Sequence, residues 1–472
     1  MRFLSLFKKA KPEVEVRFPL PFRRTEYWRS LSFDIEAFDD PKAYQPKLAM
    51  MSFGLALSSF TSMDLQKNGG ANAISYLEQA GFTKIYASED YAHQATSSSL
   101  GFVFGVRKIK KGKKKFLLVA VGIRGGRYGA EWGSNVLLGP TGPHEGFQLA
   151  SEKLYVEFES YLKRIKAKGD IAVWACGYSR AGGVASLFAD ELSRGLGENE
   201  RTSRRFGKAN LDLSRIYTYT FAAPRAGQVN SSCAASIHNV INPEDLVPRV
   251  PFASFGFVHY GQEHEFVLSI EKENEILSRL SSEGIEVLPP TFVPMMLDIR
   301  HVFNAEKRFK EDFSKTGGQK AFLDDMCTLI QDRISREAYA KYIQEGLASV
   351  TSLIDEQSQA PYERFAAFMK TVFDGVSENY GTFSLLSKLT SEKTQWKSLL
   401  APYVSKAIEK EPELEDEEEA ILTAIAGLLH FLCPSAKDLL ALYPTLREKE
   451  NLSAIVFAHE AVRYYMLLLG QE

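Results

Sequence analysis

In residues 171–187, IAVWACGYSRAGGVASL, Ser179 has a glycine two positions before it and an alanine two positions after it. A hydroxyl becomes a useful nucleophile when it is exposed, lies beside a base and faces a carbonyl whose developing charge meets N–H donors. Residues 171–176 are typical of a strand and residues 181–192 of a helix, so the motif GYSRA predicts a nucleophile elbow. We expect Ser179 to attack a carbonyl; the alternative is a serine that caps the helix.

A nucleophilic serine needs an orienting carboxylate further along the chain. Residues 237–241, IHNVI, predict a strand that runs into NPEDLVPRVP. Asp245 therefore lies just past the carboxyl end of a strand, where α/β folds gather functional groups. Glu244 is adjacent and would face another way, so Asp245 is the predicted acid; its alternative role is to cap the turn before Pro248.

The base must be a histidine, and His259, His264 and His301 follow Asp245. His259 and His264 lie in the strand-like segment FGFVHYGQEHEFVL, where an ordinary hydrogen-bonded histidine is expected. His301 lies at a loop-to-helix junction, which suits an imidazole that reaches over the edge of a sheet to a serine. The predicted order is therefore Ser179, Asp245, His301.

The pattern from residue 116 to about 268 predicts the scaffold for these side chains. Short apolar segments alternate with amphipathic ones, which indicates an α/β fold with a largely parallel sheet. Strands are predicted at residues 116–123, 171–176, 216–223 and 237–241, with a helix over 145–169. Upstream, helices are predicted at 45–66 and 71–81 and strands at 82–88 and 98–109. The basic run KIKKGKKK at 108–115 predicts a solvated hairpin turn, with contact to a polyanion as the alternative.

After residue 305 helical patterns dominate, for example at residues 321–334 and 418–433. The acidic stretch 409–420 predicts a solvated loop that leads into a helix. His430 and His459 lie in helical patterns here and are interpreted as structural. The open roles for this region are a lid, a wall of an acyl pocket, a membrane or dimer contact, or packing alone.

Composition excludes several classes of protein. The formal charge of −2 over 472 residues supplies no general attraction to nucleic acid, so none is expected as a partner. Four widely spaced cysteines argue against a disulfide framework and a zinc site and favour a reducing compartment. The apolar run at residues 3–7 is too short for a signal peptide, and no run is long enough to span a bilayer. We therefore expect a cytoplasmic protein, with a peripheral membrane contact through the basic N-terminal segment as the alternative.

Several segments, in chain order, carry a family resemblance. They are VAVGIRGG (119–126), AEWGSNV (130–136), HEGF (144–147), GYSRAGGVAS (177–186), TFAAPRAG (220–227) and VINPEDLVPRVP (240–251). Over roughly residues 45–305 the chain resembles the class 3 lipases, the fungal-lipase-like group of α/β-hydrolases. The resemblance implies an α/β-hydrolase fold with a predominantly parallel sheet, to which this chain adds a C-terminal all-helical region. The predicted division is an N-terminal extension (1–44), a hydrolase domain (45–305) and a helical region (306–472).

The resemblance also implies residue roles. Ser179 would be the nucleophile, Asp245 the acid and His301 the base, while His259 would not be catalytic. The oxyanion donors would be the backbone N–H groups of two residues, Gly126 and Arg180. No metal or organic cofactor is implied.

Three positions depart from the family pattern. Gly126 replaces a serine or threonine and keeps the backbone donor, and Ala181 replaces a glycine. Arg180 replaces a leucine; it would either pair with a phosphate or carboxylate of the substrate or form a salt bridge to a neighbouring acid.

The sequence predicts a serine hydrolase that cleaves carboxylic esters, and the resemblance implies lipid or acylglycerol esters as the substrate class. One alternative is a catalytically degenerate hydrolase that binds a lipid or a protein partner. A second is a phospholipase or an esterase for charged substrates. The sequence does not define the oligomeric state.

Overall fold

The computed structural model describes most of the chain. The described residues are 14–22, 25–60, 70–91, 99–111, 114–125, 129–194, 203–228, 235–287, 318–354, 363–380, 393–432 and 457–471.

A central sheet organises the described residues. Its strands are β3 (Thr83–Ala87), β4 (Phe102–Lys111), β5 (Lys114–Ile123), β6 (Lys168–Tyr178), β7 (Ser203–Phe206), β8 (Lys208–Phe221), β10 (Ile237–Ile241) and β12 (Gln262–Glu265). This eight-stranded sheet has the order β12-β10-β8-β6-β5-β4-β3, with β7 paired to β8. Neighbours from β12 to β5 are parallel, whereas β3, β4 and β7 pair antiparallel. Outside this sheet, β1 (Val14–Phe22) and β2 (Thr25–Phe33) form a hairpin, and β9 (Gly227–Gln228) pairs with β11 (Phe257–Val258).

The parallel strands are apolar on both faces because helices cover both. On β6, Trp174 and Cys176 face one core while Val173 and Ala175 face the other. The second core is covered by α4 (Glu145–Arg164) and α5 (Arg180–Ser193). The first is covered by the hairpin and by α1 (Pro46–Ser58), α2 (Ala71–Gln79), α6 (Ile270–Ser282) and the last helix, α13 (Ala461–Leu469).

The N-terminal hairpin was not predicted, although residues 14–18 alternate between apolar and charged types. Phe18 and Leu20 are fully buried in the first core. The ring of Phe18 contacts Tyr465 of α13 edge-on, with 6.1 Å between the ring centroids. Segments from near both ends of the chain therefore pack in the same core as the sheet, while the boundaries at residues 45 and 305 stay predictions.

The helical region forms a third core beside the α/β layers. Its described helices are α7 (Gly318–Gln331), α8 (Arg336–Tyr342), α9 (Gln344–Thr351), α10 (Glu363–Tyr380), α11 (Lys393–Ile408) and α12 (Glu418–Leu432). Helix α3 (Gly129–Asn135) belongs to the α/β part and lies next to this region. Buried residues such as Val372, Leu400 and Ile421 join α10, α11 and α12. The acidic stretch forms a short 3-10 helix, Pro412–Glu417, directly before α12. Glu418 and Glu419 lie in the first turn of α12, where acidic side chains complement the helix dipole.

The sequence predictions for the α/β part are confirmed where the structure describes them. The observed strands β5, β6, β8 and β10 contain or overlap every strand predicted between 116 and 241, and α4 covers most of the predicted helix. The basic run lies in the β4–β5 hairpin, where Lys111 pairs with Lys114 across the turn. Helix α1 ends at Ser58, and residues 61–69 lie outside the described part. Within the described part, the helices are all too short or too polar to cross a bilayer.

Candidate active site

Ser179 lies on a sharp turn between β6 and α5. Its backbone φ of 57° is in the left-handed region, which costs energy for a residue with a side chain. The turn is tight, since a Cβ on Gly177 would lie 2.3 Å from the carbonyl oxygen of Ala181. A Cβ on Gly182 would lie 2.6 Å from the Cβ of Ala223. The small residues around Ser179 are therefore required by backbone packing, as the elbow motif predicts.

Asp245 lies just past the carboxyl end of β10 and is 1% exposed. Its Oδ1 accepts a hydrogen bond from the backbone N–H of Val247 at 2.9 Å. Its Oδ2 accepts from the hydroxyl of Tyr464 at 2.9 Å. Both oxygens of this buried carboxylate are thus held in place by neighbouring groups.

The imidazole between these two residues belongs to His459. Its Nε2 lies 2.8 Å from Oγ of Ser179, and its Nδ1 lies 2.7 Å from Oδ2 of Asp245. The expectation that His459 is merely structural is wrong, because both ring nitrogens contact the predicted nucleophile and acid. His301, the residue predicted for this place, lies outside the described residues. His459 follows Asp245 in the chain, as the predicted order of serine, acid and histidine requires.

Three hydrogen bonds hold the segment that carries His459. The hydroxyl of Tyr178 donates to the backbone oxygen of His459 at 2.5 Å. Nδ2 of Asn242 donates to the backbone oxygen of Ala458 at 2.9 Å, and Tyr464 accepts from the backbone N–H of Asn242 at 3.1 Å. Burial and the charge of Asp245 raise the pKa of Tyr178 and of Tyr464, so both phenols stay protonated and can donate. The imidazole is therefore fixed by β6, by the loop after β10 and by α13.

The histidines near β12 have other partners. His259 Nδ1 lies 2.7 Å from Oε1 of Glu263 and its Nε2 lies 2.9 Å from the backbone oxygen of Ala223. Burial lowers the pKa of His264 to about 4, and its Nε2 lies 3.0 Å from Nδ1 of His238. The expectation that His259 and His264 are ordinary hydrogen-bonded histidines agrees with these contacts.

Of the two predicted oxyanion donors, one can be placed. Arg180 is the first residue of α5, where backbone N–H groups have no acceptor within the helix. This N–H is adjacent to Ser179 and lies at the positive end of the helix dipole. Gly126 lies outside the described residues.

The Arg180 side chain is buried within the protein, with 2% exposed. Its Nε donates to Oγ of Ser134 at 3.1 Å, and its Nη2 donates to the backbone oxygen of Ser99 at 3.5 Å. Burial lowers the pKa of the guanidinium, and the nearby Glu131 opposes that change. Glu131 forms its ion pair with Arg124. A salt bridge, one of the two roles considered for Arg180, is therefore absent among the described residues, and the nearby Glu131 acts on Arg180 only at longer range.

A cavity of about 320 Å³ lies beside Ser179 and His459. From the α/β part it is lined mainly by apolar side chains, among them Leu138, Phe147, Val247 and Phe252. The helical region contributes Ile330, Ile334, Tyr339 and Leu428. An apolar cavity next to the predicted nucleophile is suited to bind an apolar substituent of a substrate.

Residues 129–255 match the model of the family Lipase (class 3). The matched segment is therefore similar to class 3 lipases, and the strand order and the elbow fit an α/β-hydrolase fold. The matched part includes Ser179 and Asp245 and ends well before His459. A comparison with curated protein sequences finds no match.

Among solved structures the chain is similar to several fungal lipases. The native Rhizomucor miehei lipase–propeptide complex has 18% identity and a TM-score of 0.31, with 49% of this chain and 72% of that chain covered. The lipase of Rhizopus microsporus var. chinensis has 18% identity and a TM-score of 0.32, with coverage of 47% and 75%. Lipase II of Rhizopus niveus has 16% identity and a TM-score of 0.31, with coverage of 47% and 82%.

One signal in the sequence does point to His459. Residues 461–469, AVRYYMLLL, are apolar on nearly every side except Arg463, which predicts a helix buried in the α/β core. His459 lies directly before that helix, at the kind of loop-to-helix junction that favoured His301. If residues 461–469 are assigned to the α/β core, His459, which directly precedes them, is expected to lie near the sheet.

Proposed function

We propose that the protein is a serine hydrolase that cleaves carboxylic esters with an apolar acyl part. Lipid esters, including acylglycerols, are the substrate class. The observation that supports this most directly is the continuous hydrogen-bond path from Ser179 Oγ through His459 to Asp245. The match to a lipase family and the apolar cavity beside the serine support the choice of a lipid ester.

In the proposed mechanism, His459 Nε2 takes the proton of Ser179 as Oγ attacks the ester carbonyl. Asp245 Oδ2 accepts a hydrogen bond from Nδ1–H of His459, which orients the ring and stabilises the imidazolium. The backbone N–H groups of Arg180 and Gly126 donate to the oxyanion, where one donor typically contributes about 10²- to 10³-fold in rate. The imidazolium then protonates the leaving alcohol. Water hydrolyses the acyl-enzyme with His459 again as base.

A fluorophosphonate probe tests the nucleophile. We expect the wild-type protein to form a covalent adduct and the Ser179→Ala variant to form none. A matched control is Ser186→Ala, which alters a serine in the same helix whose hydroxyl donates to the carbonyl of Gly183. Failure of folded wild type to react would support the alternative of a degenerate hydrolase that only binds.

We propose neutral rather than anionic esters as substrates. The Arg180 guanidinium is almost fully buried, its Nε and Nη2 donate to Ser134 and Ser99, and its Nη1 has no partner among the described residues. The burial of this cation and the apolar lining of the cavity are what support a neutral ester. The test compares kcat/KM for a neutral and an anionic ester of equal acyl length. A preference for the anionic ester that disappears in Arg180→Leu would instead support the alternative of a charged substrate.

A further inference from the structure

We infer that the helical region selects substrates by acyl length, because its residues form one wall of the cavity beside Ser179. This inference rests on the proposed function and deepens it. The wall residues are Ile330 of α7, Ile334 just before α8, Tyr339 within α8 and Leu428 of α12. All of them lie beyond residue 255, where the match to the lipase family ends. This wall is therefore a property of this chain rather than of the matched segment.

The wall is fastened to the α/β part by polar contacts. Arg336 Nε donates to the backbone oxygen of Gly139 at 3.0 Å, and its Nη2 donates to those of Leu138 at 3.0 Å and Gly142 at 2.9 Å. The hydroxyl of Tyr339 donates to the backbone oxygen of Val136 at 3.0 Å. These contacts span about 200 residues of sequence and join α8 to the loop between α3 and α4.

Further contacts extend the attachment along the helical region. The backbone N–H of Gly139 donates to Oε1 of Gln344 at 3.0 Å. Arg249, two residues after the cavity residue Val247, forms an ion pair with Asp324 of α7. Ile334, Phe255 and Ile343 pack in one apolar cluster at the same junction. A wall held at this many points keeps its position when an acyl chain enters, so it can limit the length that fits.

The cavity volume sets the expected length. An apolar cavity of about 150 Å³ accepts benzene, with its six carbons. By proportion, the volume of about 320 Å³ holds roughly a dozen carbons. The inferred substrates are therefore esters of medium-length fatty acids, with longer chains disfavoured by contact with the helical wall.

The test measures kcat/KM for p-nitrophenyl esters from acetate to palmitate. Wild type should be most active on esters whose acyl chain has about ten to twelve carbons, because a chain of that length fills the cavity. Ile334→Ala and Leu428→Ala each remove three carbons from the wall and should move the optimum to longer chains. Because one methylene in an apolar pocket is worth about 10- to 200-fold in discrimination, the palmitate-to-laurate ratio should rise at least about tenfold. Ile334→Phe should move the optimum to shorter chains.

Ile343→Ala is the matched control. Ile343 is fully buried in the same cluster as Ile334 but does not line the cavity. It should leave the preferred chain length unchanged, even if it lowers thermal stability. Leu428 is only half-buried, so Leu428→Ala keeps the test usable should Ile334→Ala fold poorly.

The outcomes separate the inference from the proposed function. Wild type that neither reacts with the fluorophosphonate nor cleaves any ester would refute the proposed function itself. An active enzyme whose chain-length profile is the same in wild type, Ile334→Ala and Leu428→Ala would refute only the role of the helical wall. Equal shifts in Ile343→Ala and Ile334→Ala would also refute it, because loosening of the junction would then explain both.

Discussion

Replacement of Asp245 by asparagine tests the proposed triad with little change in shape. The backbone N–H of Val247 donates to Oδ1 at 2.9 Å and can only donate, whereas the Tyr464 hydroxyl that donates to Oδ2 can rotate and accept instead. We therefore expect the side-chain oxygen of asparagine to stay on the side of Val247. The amide nitrogen then occupies the place of Oδ2, next to His459 Nδ1, which is 2.7 Å away in the native structure. An NH₂ group donates to Nδ1, and the imidazole proton must move to Nε2, which faces Ser179. In that tautomer His459 has no lone pair to accept the serine proton.

We expect Asp245→Asn to lower kcat about 10⁴-fold, the size of effect that the wrong tautomer produces in other serine hydrolytic triads. That loss corresponds to about 5.4 kcal/mol in the activation barrier. The measurement is the rate of hydrolysis of a medium-chain p-nitrophenyl ester, with the rate of fluorophosphonate labelling as a second readout. Ser179→Ala supplies the background.

Glu244→Gln is the matched control. Glu244 is the neighbouring carboxylate, and its Oε2 lies 3.2 Å from Nη2 of Arg463. We expect its activity to stay within a few-fold of wild type. Asp245→Asn with more than about a tenth of the wild-type kcat, a cost of only about 1.4 kcal/mol, would refute the assignment of Asp245 as the acid.

Three further predictions follow from the same contacts. His459→Gln should lower kcat by about 10⁴- to 10⁶-fold, whereas His301→Gln should leave it near the wild-type value; the reverse order, measured with the same ester, would restore His301 as the base. Tyr464→Phe removes the hydroxyl that joins Asp245 to the buried N–H of Asn242, so the free energy of unfolding should fall by about 1–3 kcal/mol in urea titrations; an unchanged midpoint would contradict that role. Burial lowers the pKa of His144 from 6.5 to about 3. As the pH falls, His144 in the unfolded state is therefore protonated at a higher pH than in the folded state, and the free energy of unfolding decreases between pH 6.5 and about 3. Replacing His144 with Gln, which can keep the hydrogen bond to the Asn135 oxygen, should make the unfolding midpoint less sensitive to acid in that window, and an equal sensitivity would refute the effect.

The sequence was informative wherever the chemistry depends on local backbone. Ser179 and Asp245 each follow a short apolar strand, and a parallel sheet brings the carboxyl ends of neighbouring strands to one edge. The glycines of the elbow allow the close backbone contacts that such a turn requires. The positions of the proposed nucleophile and acid could therefore be predicted from their immediate neighbours along the chain.

His459 could not be placed in the same way, because its role depends on tertiary packing. The imidazole lies 280 residues from Ser179 along the chain and is brought back by α13, which packs on the N-terminal hairpin and α1. The helical patterns between Asp245 and His459 suggested a separate region at the end of the chain. The loop-to-helix junction near the end of the predicted α/β region therefore favoured His301, whereas the contact with Ser179 depends on where α13 is buried.

The path of the chain through this site also has a consequence for its synthesis. Ser179 leaves the ribosome long before His459, its proposed base, since 280 residues separate the two. At roughly 5–20 residues per second, that interval lasts about 14 to 56 s. During this time the nascent polypeptide carries its nucleophile without a base. If His459 is the base, as proposed, newly made chains cannot hydrolyse esters until α13 has been translated and has docked.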